Sequence, residues 1–392
     1  MKFSRFSFLI QSILLMLLLG SVYAWGVFRV EAEITYQISA SLSGLPYMVS
    51  LVSYAGGMLI AGQYMSKYRK QIVFLGVLLF VTGFWLSSIV DQFTWLILTY
   101  GVFLGGGVGL LYGVPIYLVQ RLFDKRIGLY SGLILMGFGL SNTIMTPIIV
   151  TLLSQQTMQE TMRILGWISL GVFLLSLWPL LQSVPNEPKT KQTETKDNLT
   201  YDHPSFRSLY VVYVLSLLSG LTIVGLSYPI GITNYQFDAT FVTVSISIFS
   251  LLNGLSRPFF GGLVDRFGFF KVAFVSLFSL ILSGLISLLN AGVNPTLYAI
   301  SFGAFWFGLG NWMALMPLSI KTMFPKALFA SLYGKLFTAY GLAAILGTVL
   351  SGAILDLMNS TWPIYLMILI ANFTNLFLVL WLKNRFHFRI FK

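Results

Sequence analysis

The 392-residue sequence has no cysteine and only two histidines, His203 and His387. Disulfides, iron–sulfur clusters and thiolate zinc sites are excluded, and too few ligands remain for a metal centre, so no cofactor is expected. Charge is scarce as well, at 9% of residues against 57% hydrophobic. So much apolar surface cannot hide inside one water-soluble core, and a lipid bilayer is the expected solvent. No nucleophile–base pair falls at membrane depth, which argues against an enzyme, and no filter-like repeat marks a channel.

What the sequence has in abundance is long apolar runs, each of roughly 18 to 25 residues, enough to cross a hydrocarbon layer of about 30 Å as a helix. The run after Lys2 and Arg5 starts like a signal peptide but is too long for one, and it is read as the first helix. An all-α membrane protein is expected, with twelve transmembrane helices near 6–28, 44–66, 71–90, 94–118, 127–153, 163–182, 206–230, 242–263, 270–289, 296–318, 328–355 and 362–382. The polar stretch 182–205, rich in Pro, Thr, Lys and acids, reads as a linker between two six-helix bundles at 1–181 and 206–383, and residues 384–392 form a basic tail.

The formal charge of +12 is explained by topology and needs no nucleic acid. Alternate loops and the two ends hold twenty cations, among them Lys67, Arg69, Lys70, Arg121, Lys125, Arg126, Arg266, Lys271, Lys321 and Lys326, whereas the opposite loops hold Arg29 and Arg163. The positive-inside rule then puts both termini and the linker in the cytoplasm.

The halves repeat in parallel at an offset of roughly 200 residues. The Gly62 stretch GQYMSKYRK matches the Gly261 stretch GGLVDRFGFFK, and Tyr130-Ser131-Gly132 after Phe123-Asp124-Lys125 matches Leu332-Tyr333-Gly334 after Phe324-Pro325-Lys326. Two six-helix repeats facing one central cavity follow. Glycines such as Gly105, Gly106, Gly107, Gly109, Gly137 and Gly139 sit within apolar helices without a phosphate-loop pattern and read as close-packing positions.

The string from Gly261 through Asp265, Arg266 and Gly268 to Lys271 resembles the loop signature G-x-L-x-D-R-x-G of the major facilitator superfamily; in the first half Ser66 stands at the Asp position. LGSVYAWGVF, GGGVGLLYGVPI, DKRIGLYSGLILMGFGLS, NGLSRPFFG and YGKLFTAYGLAAILG look like the oxalate/formate antiporter family and the related monocarboxylate porters. The resemblance implies the major facilitator fold, alternating access about a central site, and a gate built on Gly261, Asp265 and Arg266. It also implies a cavity position at Tyr340, where the antiporter pattern carries lysine, and at Asn253, where monocarboxylate porters often carry Asp.

Two of the 24 Lys and Arg remain after the loops and ends are counted, Arg257 and Lys335, and both fall inside apolar helices. The twelve acids all read as loop or helix-end residues. A cation in the bilayer costs about 2.5 to 3.5 kcal/mol on insertion scales, so it lines a polar cavity or meets an opposite charge. Arg257 precedes Asp265 by eight residues and Lys335 follows Lys326 by nine, which puts each roughly 12 to 14 Å from the basic loops. An anion bound between them is one reading; snorkelling to the basic face is the other. Five residues of helix turn Lys335 about 140° away from Tyr340. Asn253 lies one turn from Arg257, and Tyr23, Trp25, Tyr112 and Trp306 are candidate aromatic walls, with interfacial or packing roles as the alternative.

The expected function is secondary transport of a small organic anion, a mono- or dicarboxylate, by exchange or facilitated uptake across the cell membrane, with one chain sufficient. A multidrug-type exporter and a non-transporting anion sensor are the alternatives.

Overall fold

The computed structural model describes residues 5–38, 40–182, 204–290 and 292–390. The expected linker falls outside the described residues over 183–203. The described residues contain ten helices long and apolar enough to cross a membrane. One of them, Leu45–Ser87, is broken at Tyr68, whose φ of −122° is not helical, so it makes two passes. With Met158–Gln182, which has the length of a span, the total is twelve.

Helix α1 runs Arg5–Leu19, tightens into a 3₁₀ turn at Gly20–Ala24 and resumes as Trp25–Tyr36. Helices α2 and α3 are 45–67 and 69–87. Helix α4 comprises Phe93–Leu96, a π-helical stretch Ile97–Leu104 and Gly105–Leu122. Helices α5 and α6 are Ile127–Leu153 and Met158–Gln182. The second half has α7 (Pro204–Pro229, ending in a π turn Ile230–Asn234), α8 (Ala239–Phe267), α9 (Phe269–Asn290), α10 (Pro295–Met323), α11 (Phe329–Met358) and α12 (Trp362–Ile390). The last helix therefore continues into the residues expected as a basic tail.

Local chemistry sets the helix starts. The Asp238 carboxylate accepts the Phe241 N–H at 2.9 Å to cap α8, and Asn294 accepts from Thr296 and Leu297 to cap α10, with Pro295 in the first turn. The sequence reading ends the first helix at 28 and leaves Arg29, Glu31 and Glu33 in a loop; the structure keeps them helical to Tyr36. A pair within the helix and a serine beyond it hold this end: Arg29 Nε donates to Glu33 Oε1 at 3.2 Å, one turn on, and to Ser43 Oγ at 2.7 Å, while Ser43 Oγ donates to the same carboxylate at 2.6 Å.

The halves meet along two long crossings, α5 on α8 and α2 on α11, which exchange under the internal repeat. Glycine permits both. A Cβ at Gly139 would sit 2.7 Å from Gly254 Cα, and one at Gly62 would sit 2.8 Å from Gly334 Cα. Large apolar side chains such as Phe74, Leu175, Val275, Leu289 and Phe377 are exposed on the outer faces, where lipid would cover them. Buried polar side chains also pair within a half, as Asn372 with Ser219 and Asn375 with Ser216, and others lie between the halves.

Candidate functional site

A cavity of about 110 Å³ lies between the halves. Tyr23 of α1, Asn253 and Arg257 of α8, Trp306 of α10 and Tyr340 of α11 all line it, and Tyr47, Gly139, Asn142 and Ser250 complete its polar and small-residue wall. The helix repeat brings them together although they are spread over more than 300 residues of sequence.

Arg257 is 2% exposed, and its guanidinium reaches across the interface: Nη1 donates to the Leu135 carbonyl of α5 at 2.8 Å. Nη2 donates to Asn253 Oδ1 at 3.1 Å, and the carbon centre lies 5.9 Å from the Phe138 ring centroid. Asn253 is itself fixed, because its Nδ2 donates to the Trp306 carbonyl at 2.9 Å. The Arg257 Nε–H has no acceptor, and among the described residues no carboxylate comes within ion-pair distance of this guanidinium. Trp306 is anchored from the far side, where its Nε1 donates to Ser227 Oγ at 3.0 Å. A guanidinium has five N–H donors in a planar fork, so this one retains capacity for an oxyanion at the cavity.

Tyr23 and Tyr340 form a second bridge between halves, with their hydroxyls 2.6 Å apart. Only one of the two can donate to the other, so the acceptor's own proton remains for another group. Phe138 organises the ring packing beside them: Tyr23, Tyr54 and Tyr112 lie 5.2, 5.7 and 5.0 Å from it. Tyr112 is fully buried in this aromatic layer with Tyr54 and Phe337 and does not line the cavity. Trp25 packs 4.6 Å from Tyr100 and donates to the Ser43 carbonyl, also away from the cavity. The layer lies between the cavity and the basic loops, since Tyr54 and Phe337 are nearer those loops than Tyr47 and Tyr340 on the same helices.

Lys335 is 7% exposed on α11 but is not among the lining residues. The helical rotation that separates it from Tyr340 carries it off the cavity wall. Arg257 and Lys335 are therefore not brought together on one ligand in this conformation.

At the basic end the halves are clasped. Both Asp265 oxygens accept from the start of α5, from Gly128 N–H at 2.9 Å and Leu129 N–H at 2.8 Å. A carboxylate on free N–H groups at the positive end of a helix is a charge-assisted arrangement. Gly261 and Gly128 touch backbone to backbone, and a Cβ on either would collide with the other's carbonyl oxygen. Arg266 is exposed and lies 5.2 Å over the Phe267 ring, outside the clasp.

The sequence pattern of the Major Facilitator Superfamily matches residues 6–230 and again 209–389. The chain belongs to that superfamily. It is 26% identical over 365 residues to the oxalate:formate antiporter of Oxalobacter formigenes, covering 90% of this chain and 85% of that one. The mouse monocarboxylate transporter 12 is 22% identical over 333 residues, covering 75% and 68%. Among solved superfamily structures, the proton:xylose symporter XylE bound to 6-bromo-6-deoxy-D-glucose superposes with a TM-score of 0.80 at 13% identity, over 97% of this chain and 95% of that one. The protein is thus a multi-pass membrane protein with the transporter fold of this superfamily.

Sequence reasoning did not find Tyr47, Asn142, Ser250 or Phe138, and it read Gly139 as packing alone. No local motif marks them. They become part of the site only because α2 and α5 present Tyr47, Phe138, Gly139 and Asn142 to α8, which itself carries Ser250.

Proposed function

We propose that the protein is a secondary carrier of a small organic anion, a mono- or dicarboxylate, working by exchange or facilitated uptake. The buried Arg257 carries this reading: its charge meets no carboxylate among the described residues, its Nε–H is unpaired, and it faces a cavity. A substrate carboxylate supplies both the missing charge and the missing acceptor. The cavity of about 110 Å³ is far below the several hundred Å³ that suits a drug-sized ligand, which favours an anion of a few heavy atoms over a multidrug-type cargo. The relatives' names, oxalate:formate antiporter and monocarboxylate transporter, point to the same chemical class.

The transport cycle follows from the two crossings. With the Asp265 clasp closed, the cavity is sealed toward the basic loops; an anion on Arg257 neutralises the buried cation and lets the halves rock about it to open the other way. The basic loops face the cytoplasm of the cell membrane, and a single chain holds the whole path.

Purified protein in liposomes, loaded with one carboxylate and offered radiolabelled mono- and dicarboxylates outside, tests this directly. Uptake should depend on a carboxylate inside or on its gradient, and Arg257→Gln should lower transport efficiency on the order of 100-fold, the equivalent of one or two charge-assisted hydrogen bonds. Undiminished transport by Arg257→Gln, or export of hydrophobic cations without any response to carboxylates, would overturn the assignment.

A further inference from the structure

A second pocket, of about 210 Å³, lies at the basic end and has no part in the site above. Its wall comes from both halves: Tyr117, Gln120 and Arg121 at the end of α4, and Lys321, Lys326 and Phe329 where α10 passes into α11. Three of its lining residues are cations and none is an acid. Lys326 and Asp265 both lie within Coulomb reach of the Lys321 ammonium, but the Asp265 oxygens are already engaged by the Gly128 and Leu129 N–H groups. The Arg121 guanidinium carbon lies 4.8 Å from the Tyr117 ring centroid, a cation–π contact at the pocket edge.

Two further features favour an anion. Helix α11 begins here through the 3₁₀ turn Lys326–Leu328, and neither the turn nor the helix has a side-chain cap on its first N–H groups. Gln120 Nε2 is buried without an acceptor. A pocket with three cations, an uncapped helix start and an orphan amide donor has the chemistry of a multivalent-oxyanion site.

We propose that this pocket binds a phosphate group, borne by a lipid headgroup or by a soluble phosphate, and that the bound anion holds the basic end closed. The second clause rests on the alternating-access reading above. The physical reason is the location of the donors. Arg121 sits on the first half and Lys321 and Lys326 on the second, so the pocket is complete only while the halves are together at this end. An anion that requires both sides binds the closed form more tightly and shifts the population toward it by the ratio of its two affinities. Without it, cations of the two halves line the same seam with no anion in the pocket between them.

The test needs no transported substrate, so its failure is separable from failure of the carboxylate assignment. Lys70→Cys and Lys271→Cys, exposed positions on opposite halves at the basic face, would carry spin labels in a chain with no native cysteine. In nanodiscs of neutral lipid, inorganic phosphate should move the label distances toward the short, closed population and raise the melting temperature. In nanodiscs containing anionic phospholipid without phosphate, the short population should dominate from the start if the headgroup is the occupant. Arg121→Gln with Lys326→Gln should raise the phosphate concentration for half effect by roughly tenfold or more. Melting without phosphate reports whether that variant is folded. The proposal is overturned if neither phosphate nor anionic lipid changes the distances or the melting temperature. It is equally overturned if both act on the double variant as on the wild type.

Discussion

The hydroxyls of Tyr23 and Tyr340 meet at 2.6 Å across the two halves of the molecule, 317 residues apart in sequence. Tyr340 is 1% exposed and Tyr23 is half-buried, so removal of either hydroxyl leaves the other without this bond in a largely dry setting. Tyr23→Phe and Tyr340→Phe should each cost about 1–3 kcal/mol of the conformation seen here, and the double variant should cost clearly less than the sum. Thermal unfolding of the four proteins in one detergent measures the coupling; strictly additive losses would show that the pair does not act as a unit.

Gly139 is the position at which α5 admits the guanidinium. An added methyl would lie 3.1 Å from Arg257 Nε and 3.2 Å from Cζ, besides 2.7 Å from Gly254 Cα. We expect Gly139→Ala to destabilise by about 1–3 kcal/mol and to weaken anion affinity, because backbone on one side and the charge on the other leave it nowhere to go. Gly26→Ala is the matched control, since nothing lies within 4 Å of a Cβ there. Equal substrate affinity in the two variants would remove Gly139 from the site.

Asp265→Asn keeps the shape of the basic-end clasp and loses its charge. The neutral amide presents one acceptor oxygen to the two N–H groups of Gly128 and Leu129, so the closed end should weaken by about 1–2 kcal/mol, roughly a tenfold rise in the opposite state. Ser131 is buried at 0% exposure with an unpartnered hydroxyl on α5, which makes Ser131→Cys a suitable reporter. A water-soluble maleimide should label that cysteine faster in the Asp265→Asn background than in the parent. Identical labelling rates would mean that the clasp does not control this end.

Asn253→Asp would put a carboxylate in place of the amide oxygen that now accepts from Arg257 Nη2 at 3.1 Å. An internal counter-ion competes with the substrate, so carboxylate uptake at neutral pH should fall. Protonation of the new carboxylate releases the guanidinium, so uptake should recover as pH falls through the range in which that carboxyl titrates. The measurement is liposome uptake against pH for wild type and variant; a variant profile parallel to the wild type at all pH values would refute the competition.

Much of this protein can be read along the chain. The twelve spans, the repeat and the motif around Gly261–Asp265–Arg266 follow from apolar run length, glycine spacing and charge placement, because a bilayer imposes its own thickness and solvation on each helix separately. Arg257 is legible for the same reason: a cation inside an apolar run is costly wherever the helix ends up. The extension of α1 through Arg29 and Glu33 was not legible, since its stabilising partner Ser43 lies beyond the helix.

The sequence by itself determined the solvent, the number of crossings and the presence of cations within apolar helices, Arg257 among them, all of which are properties of single helices. Only the tertiary structure decided what that cation touches. Leu135 contributes a main-chain carbonyl, which carries no residue signature, and Phe138 contributes a ring indistinguishable in sequence from the other 33 phenylalanines. Tyr340 lines the cavity and Lys335 does not because helix rotation is fixed by the α2–α11 packing. Contacts between halves depend on how two helix surfaces fit, and that fit is a property of both together.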